Sequence, residues 1–286
     1  MRAKRKLISF IGLGSGTAAP LLYSYVKAHS KLCFPCKETN FFSDTKVYAA
    51  GIDWYESLFK ECNEGVVCGE LAQDYLKSPQ TVTLITRNYP SAKLFAVIEN
   101  PLMSLRVAYV EALRRRTIPS DLPLAVFLKQ NPEVLNSARY GKQLVNYFSF
   151  YSQNDLLVVL SDEVRENPLS IIAKVYEHIG VDKKFVPLAL KHLVLEEEET
   201  GKKKPGLIKR TIKKVKKFFA KIYHGIFIKI NPPKVPEETL AEAAHQINFT
   251  PELEIFLKDF YRSDVILLSN LLHRNLAVEW GFIEGE

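Results

Sequence analysis

Short apolar runs alternate with amphipathic stretches along most of the chain. Leu7 to Ile11 is an apolar run bounded by charge on one side and glycine on the other, the pattern of a strand buried on both faces of a parallel sheet. The turn Gly12-Leu13-Gly14-Ser15-Gly16-Thr17 follows, and then Pro20 ahead of Leu21, Leu22, Tyr25 and Val26 at helical spacing. Proline suits the first turn of a helix, so this opening reads as strand, glycine turn, helix. Lys93 to Ile98 and Asp155 to Leu160 repeat the buried-strand pattern, and Leu102 to Arg116, Tyr140 to Ser152 and Pro168 to Ile179 read as helices, the last stopped by Gly180. Strands alternating with helices predict βαβ units: a three-layer α/β/α fold around a central, mainly parallel sheet, entered through a P-loop-like strand-turn-helix.

After Val186 the pattern changes. Glu196 to Glu199 is acidic, Lys202 to Lys229 is basic, and Asn231-Pro232-Pro233 breaks the chain before Thr250-Pro251-Glu252 caps a helix expected to run to about Arg274. No internal repeat is present, and the expectation is one domain over residues 1–286 with a basic helical insertion at about 200–230. In that insertion Leu207, Ile208, Thr211, Ile212, Val215, Phe218, Phe219 and Ile222 form an apolar stripe among lysines. Such a helix covers a domain with its lysine stems, faces an acidic donor or substrate, or makes peripheral contact with an anionic surface.

Composition narrows these choices. The chain has 286 residues, is 47% hydrophobic and 25% charged, and can bury a full core. Its formal charge of +7 is local: eleven Lys/Arg and no Asp/Glu lie between Gly201 and Lys229, which leaves the remainder net acidic. A general polyanion surface and a nucleic-acid partner are therefore not expected. The basic residues before Leu7 imitate a signal peptide, but the apolar run is too short, and nothing approaches the roughly 20 apolar residues of a membrane span. Four cysteines, Cys33, Cys36, Cys62 and Cys68, offer one CxxC and no second half of a metal site. They read as buried or incidental thiols in a reducing compartment, so the expected location is cytoplasmic.

The Gly12 to Thr17 turn has the physics of an anion site, with successive backbone N–H groups, little side-chain bulk and a helix start beyond. It lacks the lysine of a Walker A motif and the third glycine of a dinucleotide fingerprint, and its Ser15 stands one place late for a hydrolase elbow. Taken alone it equally describes a tight turn that needs small residues. His178, His192, His224, His245 and His273 show no metal spacing with carboxylates or cysteines.

The succession of this turn, Lys37-Glu38-Thr39-Asn40-Phe41-Phe42, Gly69-Glu70 with Tyr75, and Lys93 to Asn100-Pro101 with Tyr109 resembles the sulfotransferase domain of the glycan-modifying and bacterial type. Val158 to Val164 with Asn167-Pro168, Tyr176 to Val181, and the closing helix with Trp280 extend the resemblance from about Leu7 to Trp280. It implies sulfuryl transfer from 3′-phosphoadenosine-5′-phosphosulfate (PAPS) to a hydroxyl or amine of a glycan or small-molecule acceptor, leaving adenosine 3′,5′-bisphosphate (PAP), with no metal. It assigns Gly14, Ser15, Gly16 and Thr17, with Ala18 beside them, to the 5′-phosphosulfate, and it makes Glu38, next to Lys37, the general base.

Three departures qualify the resemblance. The family's lysine before Gly-Thr is replaced by Gly14 or Ser15, and the arginine and serine that grip the 3′-phosphate are replaced by Glu99 and Val107. Arg87, Arg106, Lys37 and the basic run from Lys202 are candidate substitutes for the lost charge. Two rival readings follow: a catalytically impaired relative that keeps the fold for binding, and a metal-dependent phosphoryl transferase using the same turn.

Overall fold

A computed structural model describes residues 8–14, 16–35, 38–194 and 237–285. Ser15, Cys36, Lys37 and the basic stretch Lys202 to Lys229 lie outside the described residues. The chain runs through β1 (Ile8–Gly14), α1 (Ala19–Lys27), β2 (Leu32–Cys33), α2 (Thr45–Tyr48), α3 (Ile52–Ser57), β3 (Val67–Ala72) and α4 (Pro79–Asn88). It continues through β4 (Lys93–Ile98), α5 (Pro101–Arg114), α6 (Leu124–Gln130), α7 (Pro132–Ser137), α8 (Tyr140–Phe148), β5 (Leu156–Leu160), α9 (Ser161–Glu166) and α10 (Pro168–His178). Beyond a 3₁₀ turn at Leu188–Leu190 come α11 (Glu237–His245), α12 (Pro251–Leu272) and α13 (Leu276–Glu279).

The five strands form one sheet in the order β2-β3-β1-β4-β5, and every pairing in it is parallel. The sheet is buried on both faces. Leu94, Ala96 and Ile98 of β4 join one core with residues of α4, α5, α6, α8 and α12, while Phe95 and Val97 join the other with α1 and α10. This period-two alternation makes three layers, as the sequence pattern predicts.

The structure moves the first turn. Gly12 and Gly14 belong to β1, so the turn proper begins after Gly14. Their smallness serves packing: a Cβ on Gly12 would stand 2.6 Å from Leu71 and 2.8 Å from Phe95, and one on Gly14 would stand 2.4 Å from the Tyr23 hydroxyl. Tyr23 of α1 lies across these glycines, edge-on to Phe95 at 5.9 Å.

The cysteines also depart from expectation. Cys33 at the end of β2 and Cys62 beyond α3 form a disulfide with their Cα atoms 5.8 Å apart. Sequence spacing hides this partner because a bridge depends on proximity in space. Closing a 29-residue separation constrains the unfolded chain by about 3 to 4 kcal/mol on the chain-entropy account.

The long C-terminal helix α12 locks the layer through a buried carboxylate. Asp264 accepts hydrogen bonds from the amides of Gly141 and Lys142, both at 2.9 Å, at the start of α8. The helices approach so closely that a Cβ on Gly141 would lie 2.3 Å from the Asp264 carbonyl oxygen. Asp264→Ala leaves two N–H groups at a helix start without their acceptor and is expected to cost about 2 kcal/mol in urea unfolding. A change below about 0.5 kcal/mol would contradict this role.

Candidate functional site

In a parallel sheet all the strand C-termini share one edge, and a ligand crevice opens where successive connections leave in opposite directions. Here that point lies at the end of β1, which is flanked by β3 and β4. Gly16 and Thr17 therefore sit at the expected position. Gly16 is wedged in: its amide donates to the Val97 carbonyl at 2.9 Å, and a Cβ on it would meet the Ser161 hydroxyl at 2.3 Å.

The amides of Gly16, Thr17 and Ala18 are already engaged by the protein's own groups. Thr17 donates to the same Glu99 oxygen through its amide at 3.2 Å and its hydroxyl at 2.5 Å, and the Ala18 amide donates to the Ser161 hydroxyl at 3.3 Å. Glu99, at the end of β4, is 3% exposed. Its second oxygen accepts from Ser104 at 3.0 Å, and the Ser104 hydroxyl lies 2.8 Å from that of Tyr140. Burial pushes the Glu99 carboxyl above the usual carboxylate range, while the Thr17 hydrogen bonds and the Arg165 charge pull it back. A carboxylate oxygen thus takes the donors that the sequence reserves for a phosphate or sulfate.

Arg165, in α9, is the cation that sequence reasoning missed. Its guanidinium donates to the Thr17 hydroxyl and, at 3.0 Å, to Asp162. Of the expected substitutes, the two that are described, Arg87 and Arg106, lie elsewhere. Arg87 is exposed in the last turn of α4, just before the chain enters β4, at the sheet edge opposite the turn. Arg106 packs its guanidinium over the Phe249 ring at 4.4 Å, where burial lowers its pKa. Val107 joins an apolar contact with Ala241 and Ala244 of α11.

Glu38 is exposed and accepts a hydrogen bond from the Gln73 amide, just past β3, at 2.7 Å. The segment that carries it is anchored by Glu70 of β3. That fully buried carboxylate accepts from the Thr39 amide at 3.2 Å, the Thr39 hydroxyl, the Tyr55 hydroxyl at 2.8 Å and the Tyr75 hydroxyl at 2.7 Å. Burial raises its pKa and the four donors oppose the rise. A cleft of about 550 Å³ is lined by Asn40, Ser43, Asp44, Asp74, Lys77 and Gln80, and Glu38 is not part of its lining. Among the described residues no group of three or more His, Cys, Asp or Glu is placed to hold a metal.

A carboxyl whose pKa is raised by folding lends stability that is complete below its unfolded value, near 4.3, and is lost as pH rises through the folded value. The stability of Glu99→Gln relative to the wild type is therefore expected to climb as pH rises from 4 to 8. Parallel pH–stability curves for the two proteins would show that Glu99 carries no such cost.

The chain matches no known family profile. It is 25% identical over 154 residues to a bifunctional heparan sulfate N-deacetylase/N-sulfotransferase 1 of Caenorhabditis briggsae, covering 48% of this chain and 18% of that protein. It is 22% identical over 177 residues to the human heparan sulfate glucosamine 3-O-sulfotransferase 6, covering 60% of this chain and 51% of that protein. The matched regions thus span about half or less of those relatives. Among solved structures, a sulfotransferase from Alicyclobacillus acidocaldarius superposes with a TM-score of 0.66 at 18% identity, covering 96% of this chain and 98% of the other. The sulfotransferase domain of the Synechococcus PCC 7002 olefin synthase gives 0.50 at 14% identity, covering 87% and 98%. Sequence matches and fold point the same way: the chain is similar in sequence to sulfotransferases over about half its length and shares the α/β fold of solved sulfotransferase structures.

Proposed function

We propose that this chain is a sulfotransferase working as one domain, which moves a sulfuryl group from PAPS to a hydroxyl or amine. The observation that carries the reading is the contact of the Arg165 guanidinium with the Thr17 hydroxyl at the crevice edge of the sheet, with Glu38 held separately by the Gln73 amide just past β3. The donor supplies a sulfuryl group activated by a phosphate leaving group. Arg165, already hydrogen-bonded to Thr17, brings the guanidinium that best matches paired phosphate oxygens and offsets charge on the departing phosphate. The Thr17 hydroxyl and the tightly packed Gly16 fix where those oxygens lie. Glu38 takes the proton from the acceptor, and the Glu70 cluster holds its segment at the right depth.

The polar cleft lined by Asn40, Ser43, Asp44, Asp74, Lys77 and Gln80 suits a hydroxyl-bearing glycan or small molecule. No helix among the described residues is long and apolar enough to cross a membrane. The Cys33–Cys62 bridge favours an oxidising compartment over the cytoplasmic location expected from the cysteine pattern.

A second reading has its own observation. With Glu99 bonded to Thr17, the turn is closed by an internal carboxylate, which favours a relative that keeps the fold for binding and has lost transfer.

Mass-spectrometric detection of sulfate transfer from PAPS to a panel of glycans and small alcohols or amines, run in chelator, separates these readings. Transfer is expected without added metal, and Glu38→Gln is expected to slow turnover at least about 100-fold while leaving the PAP dissociation constant within about twofold. PAP binding without transfer to any acceptor would support the second reading, and unchanged turnover in Glu38→Gln would remove that residue from the mechanism.

A further inference from the structure

Tyr23 is a buried hydroxyl without a use in the fold. The residue is 6% exposed, its ring rests edge-on against Phe95, and among the described residues its hydroxyl has no hydrogen-bond partner. Burying a hydroxyl unpaired is unfavourable, so a phenol kept where phenylalanine would fill the same space needs another reason. Its position supplies one. The hydroxyl presses on the backbone of Gly14, where a Cβ would stand 2.4 Å from it, two residues before Gly16 enters the turn. From the other side it feels the charge of Glu38.

We infer that the Tyr23 hydroxyl is a donor-binding group, giving a hydrogen bond to an anionic phosphate or sulfate oxygen of the nucleotide held at the turn. This inference rests on the sulfotransferase reading above. Three features fit the role. The hydroxyl has a proton to give, because burial and the neighbouring Glu38 both disfavour the phenolate. It has no competing acceptor among the described residues. It is also rigidly placed, since the ring is fixed by α1 on one side and by the Cβ-free backbone of Gly12 and Gly14 on the other. With the amides of Gly16, Thr17 and Ala18 already engaged inside the protein, a side-chain donor at this end of the turn fills a real need.

Tyr23→Phe removes one oxygen and keeps the ring, and calorimetry with PAP together with thermal unfolding of the unliganded protein reads both consequences. The variant is expected to melt about 2 °C higher, because it no longer buries an unpaired hydroxyl, and to bind PAP about tenfold more weakly. In parallel, wild-type protein carrying carbon-13 at the tyrosine ζ-carbons is expected to show a PAP-dependent shift in the one signal that Tyr23→Phe deletes. Equal PAP affinity in the two proteins, or no shift in that signal, overturns the role of Tyr23 and leaves the sulfotransferase reading standing. Wild-type protein that fails to bind PAP at all overturns both.

Discussion

A carboxylate taken out of water must collect hydrogen-bond donors or lose its charge, and the Glu99 carboxylate shows how far that constraint shapes this molecule. Its donors come from Thr17 and Ser104, so one buried group ties the first crossover to the end of β4 and the start of α5. Tyr140 brings α8 to the same cluster, and Asp264 of α12 then caps α8. Glu70 does the equivalent on the other flank of β1, gathering Thr39, Tyr55 and Tyr75 around one side chain. The crevice edge is therefore held by acids inside the protein, and the loops above it are positioned by the need to satisfy them.

This arrangement bears directly on function. A turn that would bind an anion through backbone amides instead feeds Gly16, Thr17 and Ala18 into internal bonds. Among the described residues of the turn, the proposed donor reading leaves ligand contacts to side chains: the Arg165 guanidinium, the Thr17 hydroxyl it touches, and the phenol of Tyr23. On the proposed donor reading, a doubly anionic nucleotide exchanges the Glu99 oxygen for one of its own, an exchange that Arg165 helps and the buried Glu99 carboxylate opposes.

Much of this could be read from the residues alone, because the β1 turn, β4, β5 and the long helices announce themselves through apolar periodicity. Lys93 to Ile98 is a strand with the expected bounds. Other elements were silent for physical reasons. β3 carries Gly69 and the buried Glu70 in its middle, so it does not read as an apolar run. Gly12 and Gly14 look like turn residues and are strand residues, because their missing side chains make room for Leu71, Phe95 and Tyr23. Arg165 falls just past the landmark Val158 to Val164 and becomes a site residue only when β5 lies beside β4. Arg87 and Arg106 are near the right motifs in sequence, yet one lies at the opposite sheet edge and the other on Phe249. The disulfide joins cysteines whose spacing matches no signature. In each case the decisive neighbour is distant along the chain.

On the proposed function, Glu99 and the donor compete for Thr17. Titrating PAP into the wild type and into Glu99→Gln by calorimetry at neutral pH tests it most directly. Tighter binding is expected in Glu99→Gln, by about tenfold, since the variant gives up a buried carboxylate beside Thr17 and retains a group that can hold the turn. Unchanged or weaker binding would contradict the account, and would mean that Glu99 supports the donor site.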